Sequence, residues 1–86
     1  MQTLILCRSL TNAQRAALLL ERKGITAAVR KAPQHLRGNG CGYAVGVGRR
    51  WEDAVRLLRQ NGLLTGKIYR LDANGRETEV LANDLS

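Results

Sequence analysis

The feature that most constrains the fold is the order in which the hydrophobic period changes along the chain. Twice within residues 1–71 a strand-like apolar run gives way to a helical stripe and then to another strand-like run. Gln2 to Arg8 is short, rich in Leu and Ile, and broken by Ser9, which predicts a strand. Thr11 and Gln14 have capping-box spacing. Ala13, Ala16, Ala17 and Leu20 then recur at i, i+3, i+4 and i+7, the stripe of a helix with one buried face. Gly24 stands where a C′ glycine ends such a helix. Ile25, Ala27 and Val29 alternate with Thr26, Ala28 and Arg30, a half-buried second strand running to Lys31. Pro33 and Gly38-Asn39-Gly40 mark Ala32 to Gly40 as a loop.

The second half repeats the scheme. Tyr43, Val45 and Val47 alternate with Ala44, Gly46 and Gly48. Trp51, Ala54, Val55 and Leu58 form a second helical stripe, with Glu52 and Asp53 in the first turn, where the helix dipole favours acid, and Gly62 at the end. Lys67 to Leu71 is a fourth strand, Asp72 to Gly75 a turn, and Arg76 to Leu81 a returning edge strand. The order β-α-β-β-α-β predicts an α+β fold of the ferredoxin-like kind. This is a two-layer sandwich with an antiparallel sheet, its first and third strands side by side in the middle and both helices on one face. Residues 1–71 make this domain, and 72–86 are an acidic C-terminal extension, either a hairpin edge strand or a mobile tail.

That topology brings distant residues together. Cys7 ends the first strand and Cys41 precedes the third, and in antiparallel neighbours those are the same end of the sheet. The first helix starts there too, so Cys7, Arg8, Ser9, His35, Arg37, Cys41 and Gly42 are expected to cluster. A thiol near a helix N-terminus and arginines has a lowered pKa, and the thiolate is the form that attacks, carries sulfur or ligates metal. Cys41 is the stronger candidate, because Gly40 and Gly42 remove bulk on either side; the alternative is a small buried hydrophobe at a strand start. Cys7 extends an apolar strand and reads as core, with a resolving role open to it through its nearness to Cys41. His35 is a lone histidine in a polar loop, read first as a solvated side chain.

Composition removes other classes. Two cysteines and one histidine complete neither a disulfide scaffold nor, without carboxylates or a partner, a four-ligand zinc site, and no cofactor is implied. CxxC, GxGxxG and the P-loop pattern are absent, and no Ser/His/Asp arrangement is legible. The longest apolar runs, Leu4–Cys7 and Ala16–Leu20, are far below the roughly 20 residues of a membrane span. The N-terminus lacks a signal peptide's basic and long apolar regions, so the expected location is the cytoplasm. Residues 1–71 carry a charge of +10 and residues 72–86 a charge of −3. This basic body suggests an acidic partner or simply a solvated Arg-rich surface. Nucleic-acid binding, if any, is expected to be weak and non-specific: the chain has no Phe, and its third strand offers only Tyr43 for stacking.

Arg8-Ser9-Leu10-Thr11-Asn12-Ala13, Leu20-Glu21-Arg22-Lys23-Gly24-Ile25, Ala32-Pro33-Gln34-His35-Leu36 and Cys41-Gly42-Tyr43-Ala44 together resemble the small selenium/sulfur carrier protein-like domains of bacteria. The likeness covers about residues 1–71 and rests on the order and spacing of these segments. It implies the same sandwich, with sulfur or selenium held on Cys41 as a persulfide or selenosulfide. Arg37, Arg8 and the helix start near Ser9 would stabilise the anion. It implies a carrier served by donor and acceptor proteins, a cysteine-desulfurase-type enzyme among the donors, rather than an enzyme that turns over alone. The chain departs from the family pattern where Gln34 follows Pro33, in the Gly38-Asn39-Gly40 insertion, and in the 72–86 extension. Two other readings stand beside the carrier: a basic regulatory or nucleic-acid-associated module, and a structural homodimer. The homodimer follows from placing Leu4, Leu6, Val45 and Val47 toward the helices. That leaves Thr3, Ile5, Ala28, Ala44 and Gly46 on a flat, apolar outer face that either a second copy or the 72–86 tail would cover, the second copy being favoured because the tail segment 76–81 more naturally extends the sheet edge.

Overall fold

The computed structural model describes residues 2–36, 42–64 and 66–80. Strands β1 (Gln2–Cys7), β2 (Ala27–Lys31), β3 (Tyr43–Val47), β4 (Ile68–Leu71) and β5 (Glu77–Val80) form one antiparallel sheet in the order β2-β3-β1-β4-β5. Helices α1 (Leu10–Arg22) and α2 (Trp51–Gln60) complete an α+β fold. Ala13, Ala16, Ala17 and Leu20 of α1, and Ala54, Val55 and Leu58 of α2, pack with Ile5, Val45, Val47 and Ile68 of the sheet in one core. The helical spacing in the sequence therefore marks the buried stripes directly.

Both helices stop by the same device. Ile25 N–H donates to Leu20 C=O (2.9 Å) and Gly24 N–H to Glu21 C=O (3.0 Å), with Gly24 at φ +79°. Leu63 N–H donates to Leu58 C=O (2.8 Å) and Gly62 N–H to Arg59 C=O (3.2 Å), with Gly62 at φ +70°. These are paired Schellman closures that need a left-handed residue at C′. They also correct the start of β2. Ile25 belongs to the helix exit, so the strand begins at Ala27 rather than Ile25. The N-cap of α1 is corrected as well. Ser9, with extended backbone, accepts from Asn12 N–H at 3.1 Å, and Thr11 is already inside the helix.

The facing of β1 is the reverse of the expected one. Residues opposite each other in a ladder share a face, and the register pairs Ile5 with Val45, Thr3 with Val47, and Leu4 with Gly46. Ile5 and Thr3 therefore lie on the helix side. Leu4 and Leu6 lie on the outer side, in a second cluster with Ala44, Ala32, Leu36, Tyr69 and Leu71. Leu36 comes from a 3₁₀ turn, Gln34–Leu36, in the segment after β2. That segment covers part of the outer face, with Leu36 packed against the cluster of Leu4, Leu6 and Ala44. The face is not flat at Gly46 either: the Gln2 and Arg30 side chains converge over that glycine.

Candidate functional site

The end of the sheet formed by the C-termini of β1 and β2 and the N-terminus of β3 is where sequence placed the reactive chemistry. Cys7 pairs with Tyr43, and Tyr43 with Lys31. One step further out, Ala32 N–H donates to Gly42 C=O at 2.7 Å, a neck that joins the exit of β2 to the entry of β3. Gly42 follows Cys41 directly in the chain. Cys41 and Arg37 themselves lie outside the described residues.

Cys7, Arg8 and Ser9 are where the topology predicted them, but they differ in what they offer. Cys7 is a thiol only 4% exposed, on the helix side of β1, and its Sγ donates to Ile5 C=O at 3.4 Å. A sulfur sealed in this way is chemically inert. Arg8 is exposed. Ser9 is occupied as the cap of α1, its Oγ meeting one of the N–H groups that a helix start leaves unpaired. Its role is to fix the turn between β1 and α1.

His35 departs from the expected cluster. Its Nε2 donates to Glu77 Oε1 at 2.5 Å, which places it against the first residue of β5, across the outer face from β2. The His35 side chain is 65% exposed and Glu77 21%, so the pair is a surface latch rather than a buried dyad. Together with Leu36 against the outer cluster, it ties the segment that leads toward Cys41 to the far edge of the sheet. Sequence reasoning missed Glu77 because it treated 72–86 as an appendage. The turn at Asp72, whose carboxylate accepts from Asn74 N–H and Arg76 N–H (both 2.9 Å), is what returns that segment to the sheet.

Among the described residues, no group of three or more His, Cys, Asp or Glu side chains is placed to hold a metal ion, and no helix is long and apolar enough to cross a membrane. Tyr43 packs into the helix-side core and so presents no stacking platform on the open face. A family model described as "Putative Se/S carrier protein-like" matches residues 2–70. No curated protein and no solved structure matches the chain.

Proposed function

The chain belongs to the Se/S carrier protein-like family, and on that footing we propose that it is a sulfur or selenium carrier whose cargo sits on Cys41. The observation that carries the assignment is the burial of the other cysteine. The family match spans both, and Cys7 is 4% exposed inside the helix-side core. Accessible thiol chemistry therefore falls to Cys41, next to the Ala32–Gly42 neck.

Loading is a redox-neutral exchange. The Cys41 thiolate attacks the outer sulfur of a donor persulfide, the donor's S–S bond breaks, and the electron pair leaves on the donor sulfur. The proton given up by the Cys41 thiol ends on the donor thiolate, so donor persulfide and Cys41 thiol become donor thiol and Cys41 persulfide. An acceptor reverses the step. Arg8, exposed at this end of the sheet, and Arg37 are the cations assigned to the sulfur anion. The proposed architecture is ferredoxin-like; the neighbour order β2-β3-β1-β4 supports it, with β5 added at one edge. The proposed location is the cytoplasm, where thiols are kept reduced.

Incubation with glutathione persulfide, followed by peptide mass mapping, tests the assignment. Sulfur is expected on Cys41 in wild type and in Cys7→Ser, and on neither residue in Cys41→Ser. Iodoacetamide is expected to label Cys41 faster than Cys7. Faster labelling of Cys7 overturns the site.

A further inference from the structure

We propose that the opposite end of the sheet carries a second site, a cleft for a phosphate-bearing small molecule. The cleft has a volume of about 500 Å³ and lies between β2, the end of β3 and the turn into α2, with Gln2, Arg30, Gly46, Gly48, Arg49 and Arg50 among its walls. That volume suits a small ligand. The site is remote from the cysteine end. Val47 opposes Thr3 and Ala27, whereas Tyr43 opposes Cys7 and Lys31, and four residues of strand span roughly 13 Å.

Three features make it an anion site. First, its lining holds three arginines and no Asp or Glu. Second, the arginines are differently committed. Arg50 is anchored, its guanidinium donating to Gly24 C=O (3.5 Å) and to Asp53 (3.3 Å), so that it joins the end of α1 to the start of α2. Arg30 and Arg49 make no hydrogen bond or ion pair among the described residues, and neither does the Gln2 side chain. Third, Gly46 is glycine for space. Its φ is not positive, yet a Cβ there would stand 2.9 Å from Gln2 Nε2 and 3.2 Å from Arg30 Nε. Two donors thus converge over bare backbone, and neither makes a hydrogen bond among the described residues.

The chemistry selects phosphate. Guanidinium presents a planar fork of donors that matches phosphate oxygens in bidentate fashion, and several oxygens on one centre engage Arg30 and Arg49 together. A single-stranded nucleic acid is the poorer fit, since no aromatic side chain lines the cleft to stack a base.

The test is an amide-resolved NMR titration of the full chain with inorganic pyrophosphate in about 0.15 M salt, where exposed charges are largely screened beyond about 8 Å. Saturable shifts are expected at Gly46, Gly48 and Arg30. Arg30→Gln and Arg49→Gln, both at exposed positions, are each expected to weaken binding about tenfold. Gly46→Ala is expected to weaken it by pushing the Arg30 and Gln2 heads aside, while Arg59→Gln on α2 leaves it unchanged. Unsaturating shifts spread over the basic surface overturn the proposal, as does an Arg30→Gln variant with wild-type affinity. A parallel titration with a single-stranded oligonucleotide separates the sources of phosphate. Saturation of these amides by the oligonucleotide and not by pyrophosphate also overturns it. Because every readout is at this cleft, failure here leaves the Cys41 assignment standing, and the reverse.

Discussion

Gly66→Ala should be among the most damaging single-methyl additions to this protein. Gly66 sits just before β4, where Leu6 N–H donates to Lys67 C=O at 2.8 Å. A Cβ at position 66 would lie 2.3 Å from the Leu6 carbonyl oxygen, more than an ångström short of ordinary contact, which begins at 3.4 Å, and 2.9 Å from the carbonyl carbon, also inside that limit. Both atoms are backbone of the central strand, so no side chain can swing away. Relief requires β1 and the entry to β4 to part. Overpacking costs about 1–3 kcal/mol, and loss of the Leu6–Lys67 hydrogen bond adds about 1 kcal/mol, so about 2–4 kcal/mol is expected. A domain of this size has roughly 4–13 kcal/mol in total, and the melting temperature should fall by roughly 10–25 °C. Urea unfolding followed by fluorescence is suited to the measurement, because the chain has a single tryptophan, Trp51, with the Arg70 guanidinium 4.7 Å above its ring. Gly48→Ala is the control, since its Cβ would meet nothing within 4 Å and its φ is not positive. It should be neutral or slightly stabilising. A Gly66→Ala variant within about 0.5 kcal/mol of wild type would refute the packing argument.

Ser9→Ala should cost about 1 kcal/mol in the same assay and Thr11→Ala only a few tenths, because the cap of α1 is Ser9; equal losses would return the cap to Thr11. Leu36→Ala should destabilise by about 1–2 kcal/mol, whereas Glu77→Gln, which breaks a mostly exposed pair, should cost under about 1 kcal/mol. Both should raise amide exchange in Gln34–Leu36, and unchanged exchange there would deny the latch. The homodimer is a proposal that light scattering at about 100 μM decides: a dimer split by Gly46→Glu supports it, and a wild-type monomer refutes it.

The parts of this fold that were legible in the sequence are those with a period and a stop. The stripes Ala13-Ala16-Ala17-Leu20 and Ala54-Val55-Leu58 are the buried faces of α1 and α2, and Gly24 and Gly62 close both helices. The facing of β1 was not legible. Thr3 to Cys7 is buried on both faces, so its side chains show no alternation to read. Its phase is set by the ladder partner, Ile5 against Val45, which is a tertiary fact. Ser9 and Thr11 are both good caps, and the choice between them turns on where the backbone leaves β1. His35 was misplaced because its position depends on Leu36 finding the outer cluster and on Glu77 returning through the Asp72 turn. The basic cleft is spread over Gln2, Arg30 and Arg49, with no local motif to announce it. Its nearest signal was Gly46 and Gly48 alternating with valine just before Arg49-Arg50.

Intact-mass analysis of protein purified from its native cells without reductant tests the carrier assignment most directly. The account predicts an adduct of about 32 Da for one sulfur, or about 79 Da for one selenium, removed by thiol reductant. It should persist in Cys7→Ser and vanish in Cys41→Ser. A reductant-labile adduct that survives Cys41→Ser, or a Cys41 thiol that stays unmodified even after exposure to persulfide donor, would contradict it.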